Sequence, residues 1–244
     1  GDGTLNVVSG NIITATYNDA DDGTGNSATV TDTADIVTFV DIFHADFSNA
    51  GSPDLDGFSI DNTGAEVPGL WHLSQGRGSE SGHSSADSLY FGIGESAAGG
   101  GIYDVGHTAG RITSPVIDLS DVPTAQLSFN YVLGTETGGV FDAAQVLISS
   151  AGGTFEVLTS NAGELTDPTT GWTAATFDLS QYVGDTIQIR FDFDTVDDFA
   201  NFFEGWYVDD VVVSAVESGG LPSGTHMVVV GPGDIVTGID FGNH

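Results

Sequence analysis

The chain contains no cysteine and no lysine, and its cations are three arginines, Arg77, Arg111 and Arg190. Without cysteine there is no disulfide framework. With three cations there is no basic surface, and a nucleic-acid binder needs one. No apolar run reaches the about 18 residues of a membrane span. The opening Gly1-Asp2-Gly3-Thr4 has neither the basic nor the apolar part of a signal peptide. It reads as a mature start or as a cut within a longer chain, and residue 1 looks mid-module. What is abundant is acid: 35 Asp and Glu in 244 residues leave a net charge of −32. Intrinsic disorder is excluded nonetheless, because 15 Phe and several β-branched runs supply a core. At this length such a core needs no covalent staple.

The acidity has two compatible explanations. A dense carboxylate surface stays hydrated in salt, where self-repulsion is screened. Clustered carboxylates also suit Ca²⁺, which takes six to eight oxygens. Missing disulfides fit a prokaryotic rather than a eukaryotic secreted protein. The expected setting is therefore extracellular, at a prokaryotic cell surface, in saline or marine water.

Strand patterns dominate. Leu127, Phe129, Tyr131 and Leu133 alternate with polar or smaller residues, and so do Ile187, Ile189, Phe191 and Phe193. This period of two marks half-buried strands. Trp206–Val213 and Val146–Ser149 add apolar β-rich runs. Turn clusters such as Asp61-Asn62-Thr63-Gly64 and Gly231-Pro232-Gly233-Asp234 separate the strands. No segment has a helical period with caps. The expected fold is all-β, a mainly antiparallel β-sandwich over residues 38–216, with small β extensions at both ends; the jelly-roll form of that sandwich is what the resemblance described below implies. Residues 1–37 hold short strands at Leu5–Val8, Ile12–Tyr17 and Ala28–Thr33 and resemble part of an immunoglobulin-like module. Residues 217–224 read as a linker and 225–244 as a β-hairpin segment.

The middle zone carries an ordered series of motifs: Ala45-Asp46-Phe47-Ser48, Asp56-Gly57-Phe58, Gly69-Leu70-Trp71-His72 and Ser88-Leu89-Tyr90-Phe91-Gly92. These are followed by Ser114-Pro115-Val116-Ile117-Asp118-Leu119, Leu127-Ser128-Phe129-Asn130-Tyr131, Asp142 before Val146-Leu147-Ile148-Ser149, Ile189-Arg190-Phe191, and Gly205-Trp206-Tyr207-Val208-Asp209-Asp210-Val211. In order and spacing they resemble MAM-like jelly-roll modules of bacterial secreted and surface proteins. The resemblance implies a non-catalytic domain linked with adhesion, assembly or support of a neighbouring enzyme. It also implies a structural cation where the first strand, its following loop and the last strand meet, which here gives Asp46, Asp56, Asp61, Asp209 and Asp210. The family's Asp-Phe-Glu is Asp46-Phe47-Ser48 in this chain, one carboxylate short. Adjacent Asp209 and Asp210 point to opposite faces of a regular strand, so at most one is expected as a side-chain ligand. The alternative is a solvent-facing acidic pair.

A second acidic group comprises Glu136, Asp142, Asp192, Asp194, Asp197, Asp198 and Glu204. It either holds a cation, with Glu136, Asp142, Asp194 and Glu204 as ligands, or fans into water. Asp19–Asn26 has calcium-loop spacing but lacks the distal Glu, so a polar turn is the preferred reading. His72, His83 and His107 lie near serines and acids, yet neither Gly-x-Ser-x-Gly nor His-Glu-x-x-His occurs, and catalysis is not expected. Jelly rolls also bind sugars on exposed aromatic rings. Trp172, after Thr169-Thr170-Gly171, is the better candidate platform, with Trp71 second and Trp206 assigned to the core.

The leading expectation is a non-enzymatic extracellular structural or adhesive module stabilised by calcium. Its short terminal strands would either complete a sheet on a neighbouring copy, building a fibre head to tail, or pack on their own chain. Truncation of a larger surface protein explains them equally. The alternative function is a carbohydrate-binding module accessory to a secreted enzyme, with extracellular glycans as partners.

Overall fold

The computed structural model describes residues 12–18, 27–33, 39–48, 55–84, 86–136 and 140–216. Strands β1 (Ile12–Asn18) and β2 (Ser27–Thr33) form an antiparallel hairpin, a two-stranded sheet of its own. Leu5–Val8, the Asp19–Asn26 turn, the 217–224 linker and the 225–244 segment lie outside the described residues.

The remaining strands make two sheets. The first holds β3 (Phe39–Ala45), β6 (Trp71–Ser74), β7 (Ser88–Phe91), β10 (Ala125–Gly134), β13 (Thr173–Asp178) and β15 (Gly205–Val216). Its order is β13-β10-β15-β7-β6, with β3 also on β15. The second holds β4 (Ser59–Asp61), β5 (Val67–Pro68), β8 (Thr108–Thr113), β9 (Ile117–Asp118), β11 (Ala143–Ser150), β12 (Glu156–Ser160) and β14 (Thr186–Asp194). Its order is β12-β11-β14-β8-β4, with β9 beside β14 and β5 parallel to β8; every other pairing is antiparallel. This is the expected all-β sandwich. Among the described residues no helix is long and apolar enough to cross a membrane.

Alternation decides which face each strand buries. Ile187, Ile189, Phe191 and Phe193 of β14 and Leu127, Phe129, Tyr131 and Leu133 of β10 all enter the core. The ring of Phe191 packs edge-on against Phe129 and Trp206 and tilts against Phe58, so one side chain touches both sheets. Each such ring contributes about 1.5–3 kcal/mol on burial. The opposite face of β14 presents Gln188, Arg190, Asp192 and Asp194, all only part-buried.

Candidate functional site

Strand β15 is irregular where its two aspartates lie. Asn130 of β10 pairs with Asp209 and Ser128 with Val212, so Asp210 and Val211 together oppose Phe129. This is a β-bulge, and within it Asp210 takes a left-handed conformation, at φ +49°. The expectation that the two carboxylates point to opposite faces holds for a regular strand, and the bulge removes that condition. Both converge on Ser84: its amide donates to Asp210 Oδ2 at 2.8 Å and its hydroxyl to Asp209 Oδ2 at 3.3 Å. Asn130 Nδ2 also donates to Asp210 Oδ2, at 2.7 Å. The solvent-facing alternative fails for Asp209, which is fully buried.

The end of β3 completes this corner. The Ser84 hydroxyl approaches the Asp46 carbonyl at 3.4 Å, and the Phe47 amide donates to Asp56 Oδ2 at 2.7 Å. Phe47 and Asp56 also have left-handed backbone, at φ +49° and +50°. Three strained residues at one corner mark a segment that the surrounding structure over-determines. Ser48 donates from both its amide and hydroxyl to Asp46, holding that carboxyl below the usual carboxylate range. Asp209 behaves in the opposite way. Burial, then repulsion from Asp210, pushes its carboxyl up to about 9.

Among the described residues no three His, Cys, Asp or Glu side chains already converge tightly enough to hold a metal ion. The donor chemistry still suits a hard cation. Asp210 and Asp46 both repel a charge on Asp209, and Asp209 is an acid buried against its own charge. Asp61 leaves the expected set. It is turned to the face of the second sheet, where its Oδ2 meets Arg111 Nε at 3.0 Å.

The second acidic group is dispersed rather than gathered on a cation. Glu204 forms a two-pronged pair with Arg77 at 2.7 Å for each bond. Asp194 pairs with His107 Nε2 at 2.9 Å. Asp142 is buried, accepting from the Tyr103 hydroxyl at 2.7 Å and the Glu136 amide at 2.8 Å, and burial raises its pKa. The histidines are similarly engaged. His72 bonds Glu95, and His83 lies between Asp209 and the Arg77 carbonyl.

Neither tryptophan offers a free ring. Trp71 is 2% exposed and packs against Phe91 and Trp206. Trp172 is half-buried, with His83 stacked on it at 4.0 Å and Tyr207 against it edge-on. The exposed aromatic surface lies in the loop from Thr195 to Glu204, between β14 and β15. Phe199 is 78% and Phe202 70% exposed. Phe203 and Val196 are also exposed, as are Val140 and Phe141, which precede the β11 residue paired with Asp194.

This loop is held firmly. Thr195 is buried and exchanges hydrogen bonds with Thr108 at 3.0 Å. Asp197 Oδ1 caps the Phe199 amide at 2.8 Å, and buried Asn201 reaches the Asp197 carbonyl at 3.3 Å. Val196 and Ala200 both sit at φ +62°, a strained position above all for β-branched valine. Burying two polar side chains to expose two phenylalanines reverses the usual division between interior and surface. In the sequence the signal was three phenylalanines between Phe199 and Phe203, without alternation and beside a run of aspartates.

No family model matches the chain, and the expected MAM-like identity is not confirmed. A curated protein, Bacillopeptidase F of Bacillus subtilis (strain 168), is 41% identical over 58 residues, spanning 24% of this chain and 4% of that protein's length. Among solved structures, the K1 cleaved adhesin domain of Lys-gingipain from Porphyromonas gingivalis W83 is 18% identical with a TM-score of 0.43, over 75% of this chain and 99% of that one. The C-terminal family 22 carbohydrate-binding module of a Clostridium thermocellum protein is 12% identical with a TM-score of 0.42, over 73% and 95%. The Endo-D glycoside hydrolase domain of Streptococcus pneumoniae R6 is 16% identical with a TM-score of 0.39, over 65% and 21%. The assignment of this chain to a β-sandwich stands on its own strand pairings.

Proposed function

We propose that residues 39–216 are a non-catalytic, extracellular glycan-binding module whose sugar platform is the Thr195–Glu204 loop, in place of Trp71 and Trp172. The observation that carries this is the exposure of Phe199 and Phe202 on a backbone fixed by buried Thr195 and Asn201. The electron-rich face of an aromatic ring attracts the weakly positive C–H groups on the face of a sugar. Carboxylates beside the rings, at Asp197 and Asp198, accept hydrogen bonds from hydroxyls. A fixed loop loses little conformational freedom when it binds. Calorimetry against a panel of soluble oligosaccharides tests the proposal. Phe199→Ala and Phe202→Ala are each expected to weaken binding about tenfold or more, with the melting temperature held. Absence of binding across the panel, or binding indifferent to both variants, would exclude it.

The bulge at Asp210 favours a second, compatible reading: a structural or adhesive module pinned by calcium. Asp46, Asp209 and Asp210 would hold the ion, tying the end of β3 to β15, while Asp56 positions the turn by bonding the Phe47 amide. Bound calcium would supply the positive charge that lets buried Asp209 ionise. The test is thermal melting with calcium and with chelator at moderate ionic strength, where equal melting temperatures would reject the ion.

A further inference from the structure

Two of the three cations of this chain lie side by side on the open face of the second sheet. Arg111 on β8 is directly opposite Asp192 on β14, and Arg190 is opposite Thr113. Arg111 and Arg190 are therefore diagonal neighbours on one face, within reach of each other's long side chains. Arg77, the third cation, is consumed by Glu204 and Glu80.

The pair on the sheet is less fully engaged. Arg111 meets Asp61 through Nε. Arg190 donates through Nε to Thr113 Oγ1 at 3.2 Å, and its guanidinium lies over Phe155, with Cζ 3.5 Å from the ring centroid. A guanidinium held against an aromatic ring still has N–H donors for hydrogen bonding. Between the arginines, Asp192 Oδ1 is buried with no hydrogen-bond partner among the described residues. Gln145 of β11 stands across from Asp192 on its other side. The face thus combines two guanidiniums, an unpaired acceptor and an amide.

It also adjoins the phenylalanine loop. Strand β14 carries Arg190 and Asp192 and ends at Asp194, and the loop that holds the phenylalanines begins at the next residue. One oligosaccharide can therefore reach both.

We propose that Arg111 and Arg190 read a carboxylate on the glycan, so that the ligand is an acidic polysaccharide containing uronic acid; this rests on the glycan-binding function proposed above. A guanidinium presents paired N–H donors that match a planar carboxylate. Gln145 takes a sugar hydroxyl beside it, while buried Asp192 supports the two guanidiniums from beneath. The surrounding charge of −32 opposes approach of an anion at long range, but salt screens that repulsion beyond about 8 Å at physiological ionic strength while direct contacts persist.

The test compares cellohexaose with the matching cellouronate hexamer, which differs by oxidation of each primary alcohol to a carboxylate. Calorimetry in about 0.15 M salt reads the ratio of the two affinities. Wild type is expected to prefer the uronate by about tenfold or more. In Arg111→Gln and Arg190→Gln that ratio is expected to collapse towards one, with melting curves reporting the fold. Arg111→Lys, which keeps the charge and loses the fork, serves if a glutamine variant unfolds, and is also expected to lower the ratio. Equal affinities in wild type, or a ratio unchanged in folded variants, overturns the carboxylate claim while Phe199-dependent binding keeps the glycan function. If neither hexamer binds, the uronate proposal falls, and the glycan function is decided separately by the oligosaccharide panel.

Discussion

His83 Nδ1 lies 2.7 Å from Asp209 Oδ2, and neither side chain is exposed. The other ring nitrogen is 3.1 Å from the Arg77 carbonyl, which can only accept, so Nε2 carries a proton. The short contact to Asp209 then needs one more. Either Asp209 is a carboxylic acid donating to neutral His83, or His83 is an imidazolium facing a carboxylate. Burial disfavours both charges, raising Asp209 and lowering His83. The uncharged pair is the ground state of this corner without a cation.

Stability without calcium follows from that assignment. Asp209 titrates near 9 in the folded chain, far above an unfolded aspartate at about 3.9. The folded state therefore holds an extra proton between those values, and its contribution is lost as pH rises through the folded value. The shifts of Asp142 and Asp192 have the same sign. The depressed His83 acts oppositely, but only below its unfolded value of about 6.5. In chelator, the melting temperature is expected to fall from pH 7 to pH 9, with a loss of up to about 1 kcal/mol per pH unit from Asp209. Asp209→Asn should reduce the slope below that of wild type, and a slope unchanged by this substitution would reject the neutral pair. Calcium should also flatten it, and its binding should release a proton.

The bulge makes a separate demand on position 210. Asp210 combines a left-handed backbone with a carboxylate that accepts from Ser84 and Asn130. Asparagine tolerates the backbone and retains an acceptor, so Asp210→Asn should melt close to wild type in chelator. Asp210→Val lacks both properties, and strain alone should cost about 1–3 kcal/mol. Equal melting of the two variants would mean that the backbone has relaxed out of the bulge.

The sandwich itself was legible because alternation is a local signal. The pattern Ile187, Ile189, Phe191, Phe193 has one solution on a half-buried strand, and β14 occupies the very residues it marks. The bulge was not legible. Nothing in Val208-Asp209-Asp210-Val211 departs from an ordinary strand, and the left-handed turn arises from pairing with β10 and contact with Ser84, both distant in sequence. The Asp192–Asp198 run was read for its acids, yet Asp192, Asp194 and Asp197 take part in three different arrangements. The phenylalanines that follow are exposed because buried Thr195 and Asn201 hold the loop, a condition that composition does not reveal.

Val196 tests whether the aromatic loop is preorganised. At φ +62° a β-branched residue is strained, whereas glycine adopts that angle freely. Val196→Gly should therefore leave the melting temperature unchanged or raise it, since the relieved strain offsets the added freedom of the unfolded chain. The same change loosens the support under Phe199, so oligosaccharide affinity should fall. Retained affinity in a protein of unaltered stability would show that the loop's rigidity plays no part in binding.

The acidity provides the last prediction. Salt commonly weakens a protein's ion pairs, but this chain has few to lose: among the described residues the guanidinium pairs are Arg77 with Glu80 and Glu204, and Arg111 with Asp61. Against these stand 35 acidic residues that repel one another. Raising NaCl from about 0.01 M to about 1 M shortens the screening length from about 30 Å to about 3 Å. Repulsion across the surface should be suppressed with little loss of attraction, and the melting temperature should rise through the series even with calcium removed. Specific calcium binding instead saturates at low concentration and is not reproduced by sodium. A melting temperature indifferent to NaCl would mean that the carboxylates are too widely spaced to destabilise the fold, and would remove the physical basis for assigning the protein to a saline setting.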